Sequence, residues 1–398
     1  MVEVSKDKVL IVHNYYQIAG GEDTVVANEK KLLEENGHEV VLYSRNNSEL
    51  RSLSKLEKLC LPFTTIFSLR TYREIKKIIT EHKIDIVHVH NTLTLVSPSV
   101  YYAALACNIP VVQSIHNFRL LCPAATFYRE DNKGDGKICE MCVNKGLSCS
   151  VKYSCYRSSR LQTFACVLSL KIHRMLKVYK KTNYILLTDF NKDKFLQLNR
   201  KKEVIDPKKI FIKPNFVDSQ LKNIPFERRR NQFIFAGRLD KLKGIHLLLE
   251  AWKDIKDSDL VICGTGPEKD WCEKFIENHG MSNVKMYGLV ENNKLQKIIA
   301  ESKALILPTQ WYEGFPMTIV ESFACGTPVI GSNIGNVGNL IKDGVSGLTF
   351  QYNSVDSLRD AIGNITDMVE SSTKQYKENY TSYRNYLLLN NIYQSITR

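Results

Sequence analysis

Glu313 and Glu321 stand eight residues apart in "EGFPMTIVESFACGTPVI", one on each side of a Gly-Phe-Pro turn. Two carboxylates in one site can divide acid and base roles in a hydrolysis. They can instead accept hydrogen bonds from neighbouring hydroxyls of one extended ligand. The flanking residues place them. "ALILPT" reads as a strand ending at Thr309, "QWYEGF" as its loop, and "PMTIVESFACG" as a helix with Pro316 at its first position and a stop at Gly326. Glu313 then lies in the loop and Glu321 in the helix, whose free first-turn N–H groups favour an anion. A second group, "FAGRLDKLKG", sets Arg238 and Lys243 in a strand-to-helix loop behind Gly237. Two cations so placed suit a diphosphate, Arg as a bidentate donor and Lys as a point charge.

The elements that must position these residues alternate regularly. "KVLIVHNYY" reads as a buried strand, "QIAGGEDTV" as its loop and "VVANEKKLLEENG" as a helix closed by Gly37. The strands "HEVVLYSR", "IDIVHVHN" and "IPVVQSIHN" follow, with helices "RTYREIKKIITEH" and "SVYYAALACN" between them. After a polar stretch, Ser219 to Asn231, the pattern restarts with "NQFIFAGRLD", "DLVICGTGP", "VKMYGLV", "KALILPT", "TPVIGSN" and "GLTF" as strands. Such alternation predicts an α/β chain with two doubly wound parallel sheets, and ligands beyond the carboxyl ends of their strands. The expected division is 1–215, 216–375 and a C-terminal helix over 376–398 that returns to the first domain. The two α/β domains would face one another across a cleft.

Composition narrows the class. The chain of 398 residues, 43% hydrophobic, is a folded globular protein of two-domain size. No signal peptide or membrane-spanning run is recognisable, which points to a cytoplasmic protein, at most peripheral on the inner face of the plasma membrane. The formal charge of +13 falls entirely within residues 1–215, where 34 Lys and Arg face 21 Asp and Glu. A basic half suits an anionic partner: a phosphorylated ligand, a membrane surface or nucleic acid.

Taken together and in order, these motifs resemble the retaining glycosyltransferases of family 4, which have the GT-B fold. The supporting pieces are "GGED", "DIVHVHN", "SIHN", "KPNFVD", "FAGRLDKLKG", "CGTGPE", "EGFPMTIVESFACGTPVI" and a terminal "IYQ". The resemblance implies a sugar moved from a nucleotide-sugar donor, UDP-linked by preference or GDP-mannose, to a glycan acceptor, expected to be lipid-linked, in bacterial capsule, exopolysaccharide or O-antigen synthesis. By position it implies Arg238, Lys243, Gly20, Gly21, Met317 and Thr318 at the donor diphosphate. Glu313, Gly314, Phe315 and Pro316 would meet the donor sugar. Glu321 would hold the ribose, with Gly264, Leu289 and Val290 about the base, and His116 would stand close to the reacting sugar. The reaction then needs no catalytic metal, since two cations and a helix N-terminus stabilise the departing diphosphate. The sole Asp-x-Asp, Asp257-Ser258-Asp259, precedes a strand and reads as a turn. His88 and His90 in "VHVHN" are expected to turn at most one ring toward the cleft, and neither is given a catalytic role. Two other readings stay open: a sugar-nucleotide epimerase or hydrolase of the same architecture, and a non-catalytic nucleotide or nucleic-acid binder. The intact Glu313/Glu321 and Arg238/Lys243 sets favour the transferase, with no nucleic acid as partner.

Two features lie outside the common family core. Residues 122–155 form a Cys-rich insertion in which Cys139-x-x-Cys142 has zinc-like spacing, and Cys122 and Cys155 would complete a structural site. "KLCLPFTTIFSLRTYREIKK" reads as an apolar loop among basic residues. "RLQTFACVLSLKIHRMLKVYKK" reads as one helix with Leu161, Phe164, Leu168, Ile172 and Met175 on one side. That pattern fits either an anionic membrane surface or an ordinary core helix with a basic solvated face.

Overall fold

The computed structural model describes residues 6–17, 20–130, 136–218 and 223–397. The first residues of the polar stretch, Ser219 to Lys222, and residues 131–135 of the Cys-rich insertion lie outside them. The chain forms two compact units. One comprises the described residues of Met1–Arg129, Cys139–Pro214 and Asn385–Arg398; the other those of Glu130–Ile138 and Asn215–Arg384.

The first unit is built on a parallel sheet of β1 (Lys8–Tyr15), β2 (Glu39–Asn46), β3 (Ile86–Val89), β4 (Val111–Ile115), β7 (Asn183–Leu186) and β8 (Ile210–Ile212). A two-stranded piece, β5 (Tyr128–Glu130) with β6 (Gly136–Ile138), sits in the insertion. The sheet order is β2-β1-β3-β4-β7-β8. Its strands read as continuous apolar runs because helices cover both faces. Val9, Ile11, Ile86, Val112 and Ile185 share one core with Leu389, Ile392 and Tyr393 of the last helix, Ser382–Thr397.

The second unit has β9 (Gln232–Ala236), β10 (Asp259–Cys263), β11 (Val284–Gly288), β12 (Ala304–Leu307), β13 (Val329–Ser332) and β14 (Gly347–Phe350), all parallel. Their order is β11-β10-β9-β12-β13-β14. Successive residues of β9 alternate between two cores: Phe233 and Phe235 enter one, Ile234 and Ala236 the other. Strand order reverses between β9 and β12, the point at which doubly wound sheets open a crevice for ligands. In the first unit the corresponding reversal lies between β1 and β3.

Several local expectations change. The helix expected from Val25 begins at Gly21, because the Asp23 carboxylate accepts the Gly20 N–H at 3.0 Å and caps the first turn. The expected apolar loop around residues 58–66 is a helix, Lys55–Ile66, with Pro62 inside it. Its start is a capping box in which Glu57 accepts the Ser54 N–H at 2.8 Å and Ser54 Oγ accepts the Glu57 N–H at 3.3 Å. The long helix expected over 160–181 breaks after Met175, with Lys177 left-handed at φ 57° and a short helix Val178–Lys181 beyond it. Pro316 occupies the N-cap position, so the following helix runs Met317–Ala324. Helix Val369–Asn379 continues through residue 375, and the chain passes from the second unit to the first at Asn385. No described helix is long and apolar enough to cross a membrane.

Candidate functional site

In the second unit the loops after β9 and β12 bring a cation and a carboxylate together. Asp240 organises the first of these loops. Its Oδ2 accepts from Arg238 Nε at 2.5 Å and its Oδ1 from the Lys243 N–H at 2.8 Å. Gly244 follows with φ 74°, and a Cβ there would meet the Pro308 carbonyl at 1.8 Å. That close approach lays the Lys243 turn against the end of β12. Lys243 Nζ consequently donates to both Glu313 oxygens, at 2.9 and 2.7 Å. Glu313 is 6% exposed, so without Lys243 its charge would be buried and unpaired. Asn336 fixes the Glu313 loop by donating from Nδ2 to the Glu313 and Gly314 carbonyls at 2.7 and 2.6 Å.

Glu321 differs. It lies half-buried on helix Met317–Ala324, and its carboxylate has no hydrogen-bond or ion-pair partner among the described residues. Burial raises it above its ordinary 4.5. A carboxylate left without partners is available to accept two hydroxyls of a diol. Arg229 holds the far end of this helix, donating to the Thr327 hydroxyl and to the Cys325 and Gly326 carbonyls. The first-turn N–H groups of Met317 and Thr318 have no carbonyl four residues back within the helix. Phe315 and Met317 lean on the apolar core. Arg238 is mostly exposed beyond its bond to Asp240. Val290 packs into the core, whereas Leu289 is 82% exposed. Gly264 serves packing, since a Cβ there would strike the Gly237 carbonyl at 1.8 Å. Asp259 opens β10 and pairs with Lys285 at 2.9 Å.

In the first unit, His116 follows β4. It is half-buried at a small cavity of about 70 Å³ shared with Arg119 and Gln113. Burial pushes its pKa down to about 3, so the ring is neutral. Its Nε2 lies 3.0 Å from His90 Nδ1, with the two rings stacked. Behind His90 lies a buried network absent from the sequence reading. Glu29 Oε1 is 3.1 Å from His88 Nδ1 and 3.6 Å from His90 Nε2, while Oε2 accepts from Lys213 Nζ at 2.9 Å. Lys213 also donates to Asn385, and His88 bonds Tyr393 and Ser114. His88 and His90 thus share one face, contrary to the expectation that one ring at most would turn inward. Residues i and i+2 of a strand point the same way. Glu29, His88 and His90 bring three donor atoms within 4.8 Å, the spacing of a metal site. The Lys213 ammonium already supplies the cation there.

Gly20 and Gly21 sit at the start of helix Gly21–Glu35, and among the described residues no atom within 4 Å would meet a Cβ on either. Beside them, Glu22 accepts from the Tyr16 hydroxyl at 2.8 Å, and burial pushes its carboxyl up to about 7. Glu22 escaped the sequence reading, which placed it in the loop ahead of a helix expected from Val25.

No disulfide joins the described cysteines. Cys122 lies within hydrogen-bonding reach of Cys142, which lowers its pKa. Cys155 lies close enough to feel Cys122 and Cys139. The described three-donor group within 4.8 Å is the Glu29 set, not the cysteines.

The Glu29 network makes an acid-stability prediction. Burial opposes ionisation of Glu29, but Lys213 and His88 prevail and hold it below 4.5. Its contribution is complete above 4.5 and is lost as pH falls through the lower folded value. His88, pushed down to about 4 by burial, acts in the same direction from 6.5 downward, because the unfolded chain binds that proton first. Lys213→Met removes the cation and is expected to cost about 3–5 kcal/mol. Urea unfolding at pH 7 measures that loss; Glu29→Gln added to it should recover part. An unchanged midpoint in Lys213→Met would show that the pair contributes nothing.

Comparison with known proteins gives matches along most of the chain. Residues 217–382 match the family described as glycosyl transferases group 1, and residues 19–144 the family described as glycosyltransferase family 4. An uncharacterized glycosyltransferase of Methanocaldococcus jannaschii is 30% identical over 129 residues, 32% of this chain and 36% of that one. The chain therefore spans about a third of that relative. The UDP-Gal:alpha-D-GlcNAc-diphosphoundecaprenol alpha-1,3-galactosyltransferase of Escherichia coli is 26% identical over 328 residues, 78% of this chain and 73% of that one. Among solved structures, a glycosyltransferase from Rickettsia africae superposes with a TM-score of 0.68 at 17% identity, covering 98% and 99% of the two chains.

Proposed function

The chain belongs to the family 4-type glycosyltransferases and has their GT-B fold of two Rossmann-like halves, and from that premise we propose that it moves a hexose from a UDP-sugar to a lipid-linked glycan with retention of configuration. The observation that carries this reading is the Lys243–Glu313 pair at the reversal of strand order, with the free Glu321 on the next helix. A hydrolytic acid/base pair would need two carboxylates sharing a reacting bond. Here one carboxylate is tied to a cation and the other has no partner, so ligand holding is the better account.

In this reading Arg238, Lys243 and the N–H groups of Met317 and Thr318 meet the diphosphate, Glu313 the sugar hydroxyls and Glu321 the ribose. The sugar C1–O bond to the diphosphate breaks as the acceptor oxygen bonds to C1 on the same face. The acceptor proton passes to a diphosphate oxygen. The cations and helix N-terminus stabilise charge that appears only as the bond breaks, which is what accelerates the step. His116 acts as a neutral imidazole toward a sugar hydroxyl. The Escherichia coli relative, named for a UDP-Gal donor and a diphosphoundecaprenol acceptor, supports the choice of UDP and of a lipid-linked acceptor; the cytosolic leaflet, in capsule, exopolysaccharide or O-antigen assembly, is the setting proposed with it. Cys122, Cys139, Cys142 and Cys155 are proposed to hold a structural zinc, supported by the closeness of Cys122 to Cys142 and of Cys155 to Cys122 and Cys139.

A thermal-shift screen of UDP-, GDP- and dTDP-sugars tests the donor. A UDP-sugar should raise the melting temperature of the wild type and not that of Glu321→Ala. The shift should shrink as pH falls toward the raised Glu321 value, because only the carboxylate accepts both ribose hydroxyls. No shift with any nucleotide sugar would refute the donor site.

A further inference from the structure

Two helices of the first unit turn large apolar side chains to solvent. On Lys55–Ile66, Leu59 and Phe63 are 72% and 74% exposed, with Leu56 on the same face; on Arg160–Met175, Leu161 and Met175 are 71% and 69% exposed, with Phe164 between them. The spacings 56/59/63 and 161/164/168/175 each keep to one helical stripe. The opposite side of the second helix, Cys166, Val167 and Leu170, is already buried. That helix is therefore apolar on both sides, one in the core and one in water. The two helices pack against each other, so both exposed stripes belong to one region of the first unit.

The charge of the two helices is basic but for one residue. The sole acid in the two helices is Glu57, which is engaged by Ser54. Between the helices is a groove of about 420 Å³ floored by Leu61, Pro62 and Ala165. Arg51, Lys58 and Arg157 line it, and none of the three has a carboxylate partner among the described residues. A second copy of this face would set cations against cations. Nucleic acid would leave the Leu and Phe tips in water. An anionic bilayer satisfies both at once, since acyl chains and phosphates lie within one side chain's reach of each other.

We propose that helices Lys55–Ile66 and Arg160–Met175 form a docking surface for an anionic lipid bilayer. The apolar tips enter the boundary between headgroups and acyl chains, and Arg51, Lys58 and Arg157, which have no carboxylate partner among the described residues, meet lipid phosphate. The inference deepens the lipid-linked acceptor proposed above, but its observations are independent of the donor residues.

Cosedimentation of the full chain with vesicles of phosphatidylcholine alone and of phosphatidylcholine with 30% phosphatidylglycerol tests it. Binding is expected to the anionic vesicles, to weaken with added salt, and to fall about tenfold in the double variant Leu59→Asp/Phe63→Asp. Lys58→Glu with Arg157→Glu should lower binding and flatten its salt dependence, whereas Lys297→Glu in the second unit should not. Unchanged melting temperatures would show that the variants fold. Equal binding to both vesicle types, no binding to either, or full binding by Leu59→Asp/Phe63→Asp would overturn the proposal. So would a concentration-dependent dimer abolished by the same substitutions. If vesicle binding holds while every nucleotide sugar fails in the thermal-shift screen, the donor reading falls and this one stands.

Discussion

Glu313→Ala is expected to lower the rate of sugar transfer by about 10²- to 10³-fold, with little change in global stability. The size follows from position. Glu313 is buried at the strand-order reversal, held by Lys243 through its side chain and by Asn336 through its backbone. A carboxylate so fixed reaches a sugar hydroxyl without further ordering, and losing it affects the transition state more than the bound donor. The expected split is therefore a fall in kcat with a smaller change in donor KM. Glu313→Gln, which keeps shape and one acceptor, should retain more activity. Wild-type turnover in Glu313→Ala, measured as product per enzyme, would remove Glu313 from the site.

Lys243→Ala should be comparably severe, for a compound reason. On the proposed reading it takes away a cation from the leaving diphosphate, and it leaves Glu313 buried without its partner. The double variant Glu313→Gln/Lys243→Ala then separates the two effects. If Lys243 served only to neutralise Glu313, the double variant would recover most of what Lys243→Ala loses. If Lys243 also meets the diphosphate, the double variant stays about 10²-fold down and its penalties are less than additive, because the groups contact each other. Arg238→Ala should weaken donor binding without that coupling, since Arg238 bonds Asp240 and not Glu313. Full recovery in the double variant would contradict the diphosphate role of Lys243.

Much of this was readable from local pattern. The strands announce themselves because both faces of a parallel sheet are covered, and the loop residues 238–243 and 313–316 follow directly from strand ends. Asp240 as an N-cap and Ser54-x-x-Glu57 as a capping box are local signals that went unread, and the Leu-Pro-Phe run after the second suggested a loop. Other features had no local signal. Glu29 and Lys213 are 184 residues apart, and Asn336 meets the Glu313 loop from a separate helix. Periodicity gave Arg160–Met175 an apolar stripe but could not say whether it faced core or water. The helix has apolar residues on both sides, and only its packing decides which one is exposed.

The central claim is transfer, and mass spectrometry of a lipid-linked acceptor incubated with enzyme and a UDP-sugar tests it most directly. The account predicts that the acceptor gains the mass of one hexose, that UDP accumulates only when acceptor is present, and that the new linkage keeps the anomeric configuration of the donor. A donor that is hydrolysed or epimerised with or without acceptor, across the nucleotide sugars screened, and an acceptor of unchanged mass would contradict it.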